Sequence, residues 1–131
     1  MAGSLANGME TEILKWLLTG EVVNRPASWY LGLFVDGNGQ EGDQPSVEAD
    51  NTTCPGYIRQ PATFGVIGSV ATSSNAQLFT ATGDWAPVYC FGVWDAETGG
   101  NLITWGTIST KTLSNTDQLK FDVGQVSVSL D

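Results

Sequence analysis

Hydrophobic spacing divides the chain into two unequal parts. In NGMETEILKWLLTGE, the residues Met9, Ile13, Trp16, Leu17 and Gly20 recur at intervals that place them on one face of a helix. Leu14 and Leu18 widen that face. Asn7 stands where a helix cap belongs, and Glu10 follows at the spacing of a capping box. Glu10 and Glu12 suit the positive end of a helix, and Gly20 is a natural stop. The pattern predicts one amphipathic helix over residues 8–19. Residues 1–6 are small, show no periodicity and are expected to be loose.

From residue 28 the period changes. WYLGLFV is rich in aromatic and β-compatible residues, and AQLFTA reads as a short strand. VYCFGVWD reads as a buried strand, with LITWGTI as its partner. Between those two, AETGGN puts Gly99 and Gly100 where a tight hairpin needs positive φ. GYIRQPATFGV is a further strand, which Pro61 confines to a sheet edge or breaks. QLKFDV leads through Gly124 to QVSVSL, where Val126, Val128 and Leu130 alternate with Gln125, Ser127 and Ser129. About seven or eight short strands follow one helix with no helical crossover, which predicts a mostly β fold. The expected architecture is an antiparallel β-sandwich or jelly roll with one N-terminal amphipathic helix. Residues 1–131 read as a single domain, with the sandwich over 28–131 and a long acidic loop at 36–56.

Composition narrows the function classes. A chain of 131 residues can bury roughly two thirds of its unfolded surface, enough for a core without staples. The net charge is −9, and the basic residues Lys15, Arg25, Arg59, Lys111 and Lys120 are scattered. Nucleic-acid binding needs clustered cations to displace counterions, so no direct DNA or RNA contact is expected. No apolar run approaches the roughly 20 residues of a membrane helix. The opening lacks the basic and apolar blocks of a signal peptide. There is no histidine, which removes the usual proton shuttle and the commonest zinc ligand. Cys90 reads as a small core residue and Cys54 as part of a loop; a disulfide between them is not expected in a reducing cytosol.

The stretch FVDGNGQEGDQPSVEAD carries Asp36, Glu41, Asp43, Glu48 and Asp50 and has the look of a calcium loop. Counted from Asp36, the first and third positions fit an EF-hand, with Asp36 and Asn38. The fifth, sixth and twelfth are Gln40, Glu41 and Val47, where the geometry needs Asp or Asn, Gly and Glu. An irregular site from Asp36, Asp43 and Asp50 is the remaining metal reading. The plainer one is an exposed loop whose length suits contact with a neighbour. Asp84, Asp95 and Glu97 can be imagined as glycosidase carboxylates, yet Asp95 and Glu97 flank a hairpin turn and GDWAP reads as a turn. GNGQEG lacks the Lys and the helix of a phosphate loop. No catalytic residue, cofactor or metal is expected.

Five tryptophans, Trp16, Trp29, Trp85, Trp94 and Trp105, offer either core or a sugar-stacking surface. Trp94 and Trp105 lie in hairpin-paired strands and read as core. Trp16 belongs to the apolar helix face, which a small sandwich can leave free for a partner.

The order and spacing of EILKWLLTG, WYLGLF, GYIRQPATF, FGVWDAETGGNLITWG and QLKFDVGQVSVSLD resemble a family of small bacteriophage virion proteins labelled tail or tail-fibre proteins. The resemblance runs from the helix to the last residue. GYIRQ is carried by Gly56, Tyr57, Arg59 and Gln60. The hairpin block is carried by Phe91, Gly92, Asp95, Ala96, Gly99, Gly100 and Leu102. Before the penultimate strand this chain has Thr116-Asp117 where that family tends to have Gly-Asp, and its acidic segment from residue 36 to 55 is individual. The resemblance implies a non-enzymatic structural part of a virion, made in the host cytoplasm. It would assemble in multiple copies as a tail or neck adaptor, a fibre-associated protein or a capsid decoration protein. The expected partners are other virion proteins and the chain itself, with no membrane contact. Candidate assembly contacts are Met9, Ile13, Trp16 and Leu17 on the helix and Asp36, Glu41 and Asp43 in the loop. The rival readings are a carbohydrate-binding module for host-surface glycans and, behind it, a cell-wall hydrolase using Asp84 and Glu97.

Overall fold

The computed structural model describes residues 2–23, 25–36 and 44–129. Its elements are β1 (Ala2–Leu5), α1 (Asn7–Leu18), β2 (Tyr30–Phe34), β3 (Gln60–Pro61), β4 (Phe64–Ile67), β5 (Val70–Ser73), β6 (Gln77–Thr80), β7 (Val88–Trp94), β8 (Leu102–Lys111), β9 (Gln118–Phe121) and β10 (Ser127–Ser129). One sheet has the order β3-β2-β7-β8-β1-β10-β5-β4, and β6 and β9 form a second. The fold is mostly β with antiparallel pairing and one helix near the N-terminus, as the hydrophobic spacing predicts. The exception is β1 with β10, which run parallel.

The long strands without alternation are buried on both faces, and this explains their composition. On one face, Leu31 and Leu33 of β2 and Phe91 and Val93 of β7 join Phe79 of β6 and Phe121 of β9 in the main core between the sheets. On the other, Phe34, Cys90, Trp94 and Trp105 form a second cluster. Gly32 and Gly92 face each other across β2 and β7. The Trp94 ring lies over both, within 2.6 Å of where a Cβ on Gly32 would sit. Each large side chain buried in this way contributes about 1.5–3 kcal/mol.

Two expectations near the N-terminus need correction. Residues 1–6 are not simply loose, because Ala2–Leu5 is a strand. It pairs with β8 through Ser4↔Trp105 and Leu5↔Thr104, and with β10 through Ala2↔Ser127 and Gly3↔Val128. Small residues leave no periodic mark, and backbone pairing on both sides makes the strand. The capping box is also absent. Ala6 occupies the cap position and has no side-chain oxygen to offer. Asn7 is the first helical residue, and its N–H donates to Gln44 Oε1 at 2.7 Å. The helix ends where expected, with Gly20 at φ +76°.

The β4–β5 hairpin is richer than its sequence reading. Pro61 ends β3, and the chain resumes as β4 after Thr63. Gly68, at φ +62°, opens a two-residue turn to Val70, the glycine-first arrangement that joins strands with matching twist. The GS between two β-branched runs carries this signal. Gly124, at φ +81°, marks the passage from β9 to β10, which belong to different sheets. Val126 is fully buried and Gln125 exposed, as the alternation requires, but within β10 Ser127, Val128 and Ser129 are all half-buried, because the strand is flanked on both sides by β1 and β5; Leu130 lies outside the described residues. Cys54 and Cys90 are buried free thiols in different core clusters, and burial pushes both pKa values up.

Candidate assembly surface

Asp36 and Asp50 are spent on the acidic loop's own structure. Asp36 Oδ2 accepts from the Ser46 N–H at 2.9 Å, and Oδ1 from the Val47 N–H at 3.0 Å. This holds residues 47–49 beside the end of β2, where Val35 N–H donates to Val47 O and Ala49 N–H to Leu33 O. Asp50 Oδ1 accepts from the N–H groups of Thr52 and Thr53 at 2.9 and 2.8 Å. The Thr53 N–H is the main reason that the Asp50 carboxyl sits below its ordinary pKa. Glu41 and Asp43 lie outside the described residues. Among the described residues, no three His, Cys, Asp or Glu side chains stand close enough to hold a metal ion.

Glu48 is the centre of a partly buried polar network that sequence reasoning missed. Arg59 donates to it twice, Nε to Oε2 and Nη2 to Oε1, each at 2.7 Å. The Tyr57 hydroxyl donates to Oε2 at 2.6 Å and accepts from the Leu33 N–H at 3.1 Å. Arg59 Nη1 donates to the carbonyls of Ala96 and Gly99 at 2.7 and 2.8 Å, and the guanidinium lies 4.1 Å from the Trp94 ring centroid. Arg59 is only 7% exposed. Burial first, and the Glu48 bond second, hold the Tyr57 phenol far above its ordinary pKa. GYIRQ and the hairpin block, distant in sequence, meet here. The available signal was a lone arginine between strand residues.

An open groove of about 560 Å³ runs past this network, between Asp50 and Asn51 on one side and Glu97 and Thr98 on the other. Glu97 is exposed on its rim. Asp84 is not part of it: its Oδ1 accepts from the Asn115 N–H at 3.1 Å in a turn. Asp95 braces its hairpin, accepting from Asn101 N–H at 2.7 Å. The carboxylates considered for hydrolysis are therefore turn and rim residues.

Helix α1 presents the largest apolar exposure. It has no buried residue. Met9 and Ile13 are half-buried, whereas Trp16 is 59% and Leu17 60% exposed, with Leu14 and Leu18 exposed beside them. The four apolar residues predicted to share a face therefore divide: the first two lie closer to the body, the last two face outward. The other tryptophans are placed differently. Trp85, Trp94 and Trp105 are buried, and Trp29 packs against the main core. The three buried rings are not available as a sugar-stacking platform; Trp29 is half-buried and lines a groove. Among the described residues no helix is long and apolar enough to cross a membrane.

A family model described as Podophage GP4 fiber I protein gp80 matches residues 4–129. No curated protein matches the chain.

Proposed function

Since the chain belongs to the Podophage GP4 fiber I protein gp80 family, we propose that it is a non-enzymatic structural component of a phage virion, built in many copies into a fibre or a tail-associated part. The observation that carries the assembly role is the exposed apolar end of α1, with Leu14, Trp16, Leu17 and Leu18 outside a core that is complete without them. Contiguous exposed apolar surface of this kind marks interaction sites. The sheets act as the rigid body, and α1 supplies the contact with a neighbouring virion protein. Repetition over many copies makes each weak contact count through effective concentration. The described part of the acidic loop from residue 44 on, held beside the sheet by Asp36 and Glu48, adds a second, polar contact surface.

Gold-antibody labelling of intact particles under negative-stain electron microscopy tests the location. Label confined to fibres or tail is the expected result. Label over the head would make the chain a decoration protein, and label at the neck an adaptor. Absence of the chain from particles by mass spectrometry would overturn the virion reading itself.

A further inference from the structure

The two edges of the eight-stranded sheet are built differently. At one end β3 has two residues, and one of them, Pro61, has no N–H to offer. Short length and proline are standard protections against further strand addition. At the other end β4 has none of these. It reads FGVI, pairs with β5 in unbroken register and carries no charge or proline. Ser74 N–H donates to Thr63 O, and the two-residue turn makes Ile67↔Val70 a hydrogen-bonded pair. Alternation along the ladder then turns the N–H and C=O groups of Phe64 and Val66 outward. Among the described residues no strand lies beyond β4. Val66 is 70% and Ile67 88% exposed.

Charge points to the occupant. The chain carries −9, so two copies repel except where they meet through a neutral surface. From Gln60 to Gly83 there is no charged residue at all, and β5, β10 and β1, the strands next to β4 in the sheet, carry none either. This is the half of the sheet that a like-charged copy can approach. Because the β3 edge is closed, head-to-tail addition of β4 to the next copy's β3 is blocked. Of the two edges of this sheet, what remains is β4 against β4.

We propose that two copies of this chain pair through β4, antiparallel about a two-fold axis at Gly65, so that their sheets become continuous. Phe64 of each copy exchanges backbone hydrogen bonds with Val66 of the other. Gly65 then faces Gly65 at a close-approach position, with Cα atoms about 4.5 Å apart, and a Cβ is absent on both sides. Phe64 and Val66 also line a mostly apolar groove of about 410 Å³ with Trp29, Ile103 and Val128, whose one charged lining residue is Arg25, and the second strand extends its wall. The contact is isologous, so it closes as a dimer. It gives the many-copy reading above one of its joints and rests on that reading for its role in the particle.

Sedimentation equilibrium of the purified full chain tests it. The wild type should reach twice its 13.9 kDa mass, and more readily at higher salt, which screens the like charges. Val66→Pro removes an outward N–H that the β4–β5 ladder does not use, and Val66→Lys places a charge on the edge. Each should give a monomer with an unchanged circular dichroism spectrum; if the proline variant is unfolded, the lysine variant decides. A wild type that stays monomeric at every concentration would overturn the pairing. So would a dimer that survives in the folded variants, or one abolished by Trp16→Ala instead. Particle labelling separates the two readings: a dimer missing from virions removes the function and keeps the pairing, and a labelled virion with a monomeric chain does the reverse.

Discussion

Arg59 holds Glu48 by two parallel hydrogen bonds of 2.7 Å, and through this pair the acidic loop is tied to the β7–β8 hairpin. The guanidinium has its remaining reach taken by the carbonyls of Ala96 and Gly99. Arg59 is buried and about a quarter of the Glu48 side chain is exposed, so removing the arginine leaves a partly solvated carboxylate without its partner. Arg59→Met should therefore destabilise the fold in urea unfolding, by less than the roughly 3–5 kcal/mol of a fully buried pair. The double variant Arg59→Met/Glu48→Leu should recover part of that loss, because no lone charge is left although the Tyr57 hydroxyl and the Ala96 and Gly99 carbonyls lose their partners. Additive single losses in the double variant would show that the two groups act independently.

The Gly32–Gly92 pair makes room for Trp94. A Cβ on Gly92 would lie 2.7 Å from Phe34 Cε2 and 2.8 Å from Trp94 Cη2, and one on Gly32 would meet Tyr57 and Trp94. Both Gly32→Ala and Gly92→Ala should cost about 1–3 kcal/mol or more by overpacking. Gly8→Ala, in the helix with nothing within 4 Å of its Cβ, should instead gain about 0.5–1 kcal/mol. Thermal melts of the three variants compare them directly.

Thr116 is the one described non-glycine residue at positive φ, +75°. It sits at the third position of a turn closed by Asp117 N–H to Ser114 O at 2.9 Å. A β-branched residue there costs about 1–2 kcal/mol, against about 0.5–1 kcal/mol of extra chain entropy for glycine. Thr116→Gly should raise stability by up to about 1 kcal/mol, visible as a higher urea midpoint.

Tyr57 sets an alkaline limit. Its phenol stays protonated in the fold, held by burial and by Glu48, while in the unfolded chain it ionises near pH 10. The unfolded state then binds fewer protons, so stability is fully present below pH 10 and falls above it, by about 1.4 kcal/mol per pH unit for this group. The raised thiols of Cys54 and Cys90 act in the same direction from about pH 9. Tyr57→Phe should be less stable at pH 8, having lost two hydrogen bonds, yet show a shallower decline above pH 10. Parallel declines would mean that the phenol ionises freely in the fold.

Trp16 separates assembly from folding. With 59% of its surface exposed, Trp16→Ala should change stability by no more than about 0.5 kcal/mol. The same change should weaken incorporation into particles, measured by quantitative mass spectrometry of virions. Loss of folding would assign the ring to the core.

Much of the architecture was legible in local pattern. The helix, the doubly buried β2 and β7 and the GG hairpin follow from spacing and glycine chemistry within a few residues. The missing histidine and the scattered cations bounded the chemistry in the same way. β1 escaped because AGSL has no pattern of its own and becomes a strand only between β8 and β10. The carboxylates of the acidic loop looked alike in sequence. Asp36, Glu48 and Asp50 all bond within eleven residues of themselves, but the partner of Glu48 is Arg59, which itself reaches Gly99, 40 residues on. The contrast between the β3 and β4 edges exists only once the strand order is known. A side chain's periodicity records which face of its own element is apolar. It does not record which element lies opposite, and that alone decides whether a carboxylate is a brace, an arginine is buried, or a strand is left with its edge open.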